Sequence, residues 1–142
     1  MRMILAALLL MPALSWAHGE DKPGPAGGHI RMPGAFHTEL ILDKEQGAHI
    51  FLIDMNFQNS TVKDSKIEMV AKYKKSEVKF TCSVMGGDHF HCVPEKKYPN
   101  KGELIVKAVR ENAVGNPVSY KLPLPEFKTK EFVDPHAGHM GH

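Results

Sequence analysis

The sequence predicts an all-β protein, an antiparallel β-sandwich of immunoglobulin-like size with about seven strands. Three observations carry this. Short runs rich in β-branched, aromatic and aliphatic residues recur between residues 37 and 127. Turn signals separate them at short intervals. No stretch carries the apolar period of a long amphipathic helix. Two packed antiparallel sheets satisfy this pattern, and a small barrel is the alternative arrangement of the same strands.

The elements follow in chain order. Residues 1–17, "MRMILAALLLMPALSWA", place Arg2 ahead of an apolar run that closes on Ser15-Trp16-Ala17. This is the pattern of a cleaved signal peptide, and the run is too short for a typical membrane span. The protein is therefore expected to be periplasmic or secreted, with no membrane insertion after cleavage and His18 as its first residue. Residues 18–36 are dense in Gly and Pro and read as an extended arm, since such a segment suits neither a regular helix nor a central strand. The domain proper spans residues 37–127. It opens with "HTELILD" (37–43), the turn "KEQG", and "HIFLIDMNF" (49–57), which is apolar on both parities and so suits a central strand. "KIEMVAKYK" alternates with Ile67, Met69, Ala71 and Tyr73 on one parity, which also admits a short helix, and "KKSE" turns it into the next strand. "ELIVKAVRE" and "NPVSYKLPL" close the domain across "NAVGN". Met55 and Met69 fall in strand patterns and are expected in the core. Asp54 is the one acidic residue in the most apolar strand, placed to pair with a buried donor, to meet a histidine, or to sit at an edge. Residues 128–142, ending "DPHAGHMGH", have little apolar content and are expected to form a flexible tail.

The segment "SEVKFTCSVMGGDHFHCV" reads as a hairpin. With Gly86, Gly87 and Asp88 as a three-residue loop, Met85 faces His89, Val84 faces Phe90, Ser83 faces His91 and Cys82 faces Cys92. Opposed residues in a non-hydrogen-bonded pair stand about 4.5 Å apart at Cα, within the disulfide range. Strand parity puts Val78, Phe80, Cys82, Val84, Phe90 and Cys92 on an apolar face, and Thr81, Ser83, Met85, His89 and His91 on a polar one. A structural Cys82–Cys92 disulfide is expected, contributing about 2–3 kcal/mol for so short a loop, and it fits an oxidising compartment. Met85, His89 and His91 are then a separate group on the opposite face, either a copper-type site or solvated surface residues.

Other donors surround this group in the sequence. Beyond residue 17 the chain carries nine His and five Met. A freed His18 offers an amine and an imidazole to one metal, the basis of a histidine-brace copper oxidoreductase if His29, His37, His89 or His91 adds a third nitrogen. "HIRMPGAFHTEL" brings His29, Met32 and His37 around a Met-Pro-Gly bend. The segment "HAGHMGH" adds His136, His139, Met140 and His142, a composition suited to capturing metal.

Removing Arg2 with the leader leaves 17 Lys and Arg against 16 Asp and Glu. Such a balance, without a basic patch, gives no case for nucleic acid. There is no nucleophile elbow, no phosphate-binding Gly loop and no HExxH helix, and the disulfide removes a Cys nucleophile.

"HGEDKPGPAGGHI", followed by "FHTELIL" and "IFLIDMNF", resembles small secreted proteins of Gram-negative bacteria found alongside heavy-metal and copper efflux systems. The resemblance covers residues 18–57, and the matching positions are His18, Gly27, Gly28, Glu39 and Asp54. Many such proteins place a His just before the Gly-Gly pair, where Ala26 stands here. The resemblance implies metal handling in the periplasm. The resulting expectation is a non-enzymatic copper chaperone or buffer, a monomer or weak dimer with an efflux or cuproprotein partner in the envelope. Zinc or another divalent ion is the alternative cargo. The rival is a β-sandwich module that docks on an envelope complex and whose histidines are incidental.

Overall fold

The computed structural model describes residues 22–134. Among them are nine strands and no helix: β1 His29–Arg31, β2 His37–Leu42, β3 Ala48–Ile53, β4 Lys66–Tyr73, β5 Ser76–Met85, β6 His89–Pro94, β7 Gly102–Arg110, β8 Ala113–Val114 and β9 Val118–Leu122. The two beyond the predicted seven are the shortest. β1 occupies three residues between the Gly-Gly turn and the Met-Pro-Gly bend, and β8 lies inside "NAVGN". Neither is long enough to show a period of two.

All pairings are antiparallel. The strands follow one path, β1-β2-β3-β6-β5-β4-β7-β8, with β9 also on β7. β5 carries the sheet round its bend. Its first half, Ser76–Lys79, pairs with β4, and its second half, Phe80–Met85, pairs with β6. The ends of the path then approach each other. Arg31 Nε donates to the Ser119 carbonyl at 2.8 Å, the Asn116 amide donates to the Pro33 carbonyl at 2.8 Å, and the Thr38 and Tyr120 hydroxyls meet at 2.5 Å. The result is a nearly closed, barrel-like antiparallel sheet. Its gap is bridged by these contacts and not by a continuous backbone ladder.

The core follows parity. Leu40, Ile50 and Phe90 stand side by side across β2, β3 and β6, and pack with Met69, Leu104 and Tyr120 from the far side. Burying an aliphatic side chain of this size contributes about 1.5–3 kcal/mol, so the interior alone gives strong register selection. The other parity forms the outer face: His37, Glu39 and Ile41 on β2; His49, Phe51 and Ile53 on β3; His89 and His91 on β6; Ser83 and Met85 on β5.

Three expectations are corrected. β3 stops at Ile53 and does not run to Phe57. Asp54 breaks it: its Oδ1 accepts the amides of Asn56 and Gln58, and its Oδ2 accepts the Asn59 side chain. Such a side-chain-to-backbone turn competes with the ladder. Met55 is consequently exposed on that turn and not in the core, whereas Met69 is buried. Val84 keeps its predicted parity but is 55% exposed. Pairing to β4 ends at Lys79, and beyond it β5 pairs with β6.

Candidate metal centre

The β5–β6 hairpin has the predicted register: Met85 pairs with His89, Ser83 with His91 and Cys82 with Cys92. Gly86 and Gly87 take φ of 64° and 74°, which the loop requires and which costs a glycine nothing. The disulfide joins Cys82 to Cys92, with Cα atoms 4.0 Å apart and no free cysteine.

Topology adds a neighbour that sequence reasoning missed. β3 lies on the other side of β6, and His49 pairs directly with His91. The two rings stack with centroids 4.5 Å apart. The turn between β2 and β3 brings in Asp43. Its Oδ1 accepts the amides of Glu45 and Gly47 at 2.8 and 2.9 Å, which fixes the carboxylate. The turn itself is held against the body by Gln46, whose side-chain amide donates to the Tyr98 carbonyl and accepts the Tyr98 amide. Asp43 Oδ2 is thereby aimed at the histidines, 3.1 Å from His91 Nε2 and 3.8 Å from His49 Nε2. Gly47 makes the approach possible. A Cβ there would stand 2.6 Å from Asp43 Oδ2 and 3.1 Å from His91 Nε2.

Asp43, His49 and His91 each offer one donor atom, all within 4.8 Å of one another, and so can hold a metal ion. Donors bound about 2.0–2.1 Å from a four-coordinate ion stand roughly 3.3 Å apart. The Asp43–His91 and Asp43–His49 separations bracket that value, and the third stays within 4.8 Å.

Hydrogen bonding sets the His49 tautomer. Asp88 Oδ1 lies 2.7 Å from His89 Nδ1. A carboxylate accepts, so Nδ1 carries the proton and, in the neutral ring, Nε2 is the acceptor. His49 Nδ1 lies 3.1 Å from that Nε2 and therefore donates. The His49 lone pair is left on Nε2, facing Asp43. A carboxylate–histidine chain behind a ligating histidine is the arrangement that orients metal ligands. His89 is held as well by stacking on Phe51, with centroids 4.5 Å apart and planes 15° off parallel.

The electrostatics suit a cation. Burial holds the His49 imidazole below its ordinary 6.5, the His91 and His89 rings add to this, and Asp43 opposes it. Burial alone would raise the Asp43 carboxyl. Hydrogen bonds from His91 and the Glu45 and Gly47 amides outweigh it and hold the group below its usual range. His49 and Asp43 are thus favoured in their metal-binding forms, a neutral imidazole and an ionised carboxylate, while His91 Nε2–H donates to Asp43 Oδ2 and gives up that proton when the nitrogen binds a metal. A cleft of about 170 Å³ lined by Asp43, Gly47, His91, Val93, Lys96 and Lys97 opens beside the group to solvent.

The remaining predicted donors divide. Met85 and His89 share the face, with Met85 40% exposed, and His89 does not belong to the three-residue group. His29 is not brought to this face. Its parity follows Leu40 on the core side, where it is buried and stacked on Phe127 at 4.3 Å. Burial, and then the nearby Arg31, push its pKa down. His37 lies on the outer face but is committed: its Nδ1–H donates to the Asp54 carbonyl at 3.0 Å and its ring stacks on Phe57 at 4.3 Å. The histidine that Asp54 meets is therefore His37, through the backbone. Met32 is 59% exposed on the bend after β1. His18, His136, His139, Met140 and His142 lie outside the described residues.

Glu39, one of the resemblance positions, is buried on the outer face. Its Oε1 accepts the amides of Ala26 and Gly28 at 2.8 Å each, tying the Gly-rich turn to β2. Burial raises its pKa, against the pull of those two bonds.

No known protein family, curated protein or solved structure matches this chain.

Proposed function

We propose that the protein is an exported metal-binding protein that buffers or delivers copper in the periplasm, and that Asp43, His49 and His91 form its primary site. The observation that carries this reading is the convergence of three donors from β2–β3 and β6, with the tautomer of His49 set by the Asp88–His89 pair. Chance solvated histidines have no reason to share a buttressed donor geometry. Two imidazoles and a carboxylate form a borderline-to-hard set, which favours Cu(II) over Cu(I). Among divalent ions the Irving–Williams order places Cu(II) above Zn(II), so zinc is the weaker cargo. The disulfide supports an oxidising compartment, where Cu(II) is the expected form. The group has an open side, consistent with loading and release and not with a closed structural site.

The test is chelator competition with Cu(II) and Zn(II), using chain in which His136, His139 and His142 are replaced by Ala so that the folded site is read by itself. One Cu(II) should bind with a Kd below about 1 µM. His49→Ala and His91→Ala should each weaken it at least about 10–100-fold, while His37→Ala leaves it unchanged. Equal affinity in His49→Ala, His91→Ala and the parent would remove the assignment.

A further inference from the structure

Asp43, His49 and His91 supply three nitrogen and oxygen donors, and a four-coordinate Cu(II) or Zn(II) ion takes one more. His89 has both ring nitrogens engaged, one with Asp88 and one with His49. Met85 pairs with His89 and not with His91, and its thioether is a soft ligand that suits Cu(I) better than Cu(II). A position left open in this way takes water or a small molecule.

The surroundings select which small molecule. The cleft of about 170 Å³ beside the group is lined by two of the three ligands, Asp43 and His91, so what enters it lies against the ion. Lys96 and Lys97 stand in its wall, and so does Glu45. Neither lysine makes an ion pair or hydrogen bond with another described residue. Without metal, the two carboxylates and two ammonium groups of the cleft balance. A divalent ion leaves two positive charges unmatched, in a recess that focuses their field. Val93 and Pro94 add apolar wall, which a short alkyl chain covers and an inorganic anion does not. The volume is about that of five or six liquid waters at roughly 30 Å³ each. It admits a few heavy atoms and no peptide.

We infer that the metal-loaded Asp43–His49–His91 site binds a small carboxylate in its open position, one oxygen on the ion and the negative charge shared with Lys96 and Lys97, and that the metal-free site does not. This rests on the reading of that group as a metal site. A carboxylate is a hard oxygen donor matched to a divalent ion, and it offsets charge that a water leaves unmatched. Lysine acts as a flexible point charge, so the two ammonium groups need no fixed geometry to contribute. Exposed pairs of this kind are individually weak. The ion therefore supplies most of the affinity, and the lysines supply the preference for an anion over a neutral donor. Copper is then carried as a ternary complex whose fourth ligand is displaceable, and a receiving protein can attack the ion at that position.

The experiment titrates acetate into the full-length chain carrying His136→Ala, His139→Ala and His142→Ala, with one equivalent of Cu(II) and constant ionic strength. Binding is read by electron paramagnetic resonance and visible absorption of the ion, and imidazole serves as the neutral comparison. Acetate should shift both spectra and saturate. In the metal-free chain it should leave the amide resonances of residues 43–47 and 91–97 unmoved. Lys96→Gln/Lys97→Gln should weaken acetate about 2–30-fold, while imidazole binding stays the same. Copper spectra indifferent to acetate would overturn the inference while leaving the folded site standing. So would equal acetate binding by the metal-free chain, or unchanged acetate affinity in the double variant. Copper binding unchanged in His49→Ala/His91→Ala would remove the site and the inference together.

Discussion

Replacing His89 by Phe separates a ligand from a residue that positions one. The aromatic ring keeps the stacking on Phe51, seen at 4.5 Å between centroids, so packing changes little. What is lost is the Nε2 acceptor 3.1 Å from His49 Nδ1. His49 then has no partner that favours its Nδ1–H tautomer, and its proton can move to Nε2, the atom the metal needs. One partly buried hydrogen bond of this kind is worth about 0.5–1.5 kcal/mol. Freedom of the ring to turn adds to that cost. Loss of a residue behind a metal ligand weakens binding about 10–100-fold, or about 1.4–2.7 kcal/mol; the hydrogen bond alone reaches the lower end of that interval, and the freed ring supplies the rest. The assay is Cu(II) competition in the His136/His139/His142→Ala background, with urea unfolding to confirm equal stability. His89→Phe should fall between the parent and His49→Ala. Binding equal to the parent would show that the Asp88–His89 pair does not orient His49. Binding as weak as in His49→Ala would make His89 itself a ligand. Either result refutes the reasoning.

Other expectations follow from the same contacts. Gly47→Ala removes no donor, yet its Cβ intrudes on the meeting point of Asp43 Oδ2 and His91 Nε2; Cu(II) affinity should drop about tenfold or more, read by the same competition. Glu39→Ala strands the amides of Ala26 and Gly28, and should cost about 2–4 kcal/mol by urea unfolding at pH 7; Glu39→Gln keeps the Oε1 acceptor and should cost less than about 1 kcal/mol. His29 has a folded pKa below its ordinary 6.5. The unfolded chain therefore takes up the proton first, and stability is complete above 6.5 and falls as pH drops below it. His29→Phe should flatten that fall in unfolding measured between pH 7 and 5, and an unchanged profile would show that another group is responsible.

The sequence by itself determined what is local. Hairpin register, the opposition of Cys82 and Cys92, and the placement of Met85, His89 and His91 on one face all follow from a Gly-Gly loop and a side-chain period of two. These act over neighbouring residues and need no knowledge of the rest of the fold. The all-β class was legible for the same reason, although the run that became β4 also admitted a short helix. Asp43 and His49 were written there too, one as the residue opening a turn that ends in Gly47, the other as the histidine of the most apolar strand. Nothing local, however, says that β3 lies beside β6. That pairing joins residues about 40 positions apart, and it is chosen by how the whole set of apolar faces closes into one interior. Only the tertiary structure could therefore bring His49 to His91, aim the fixed Asp43 carboxylate between them, and turn His29 toward the core and away from the site.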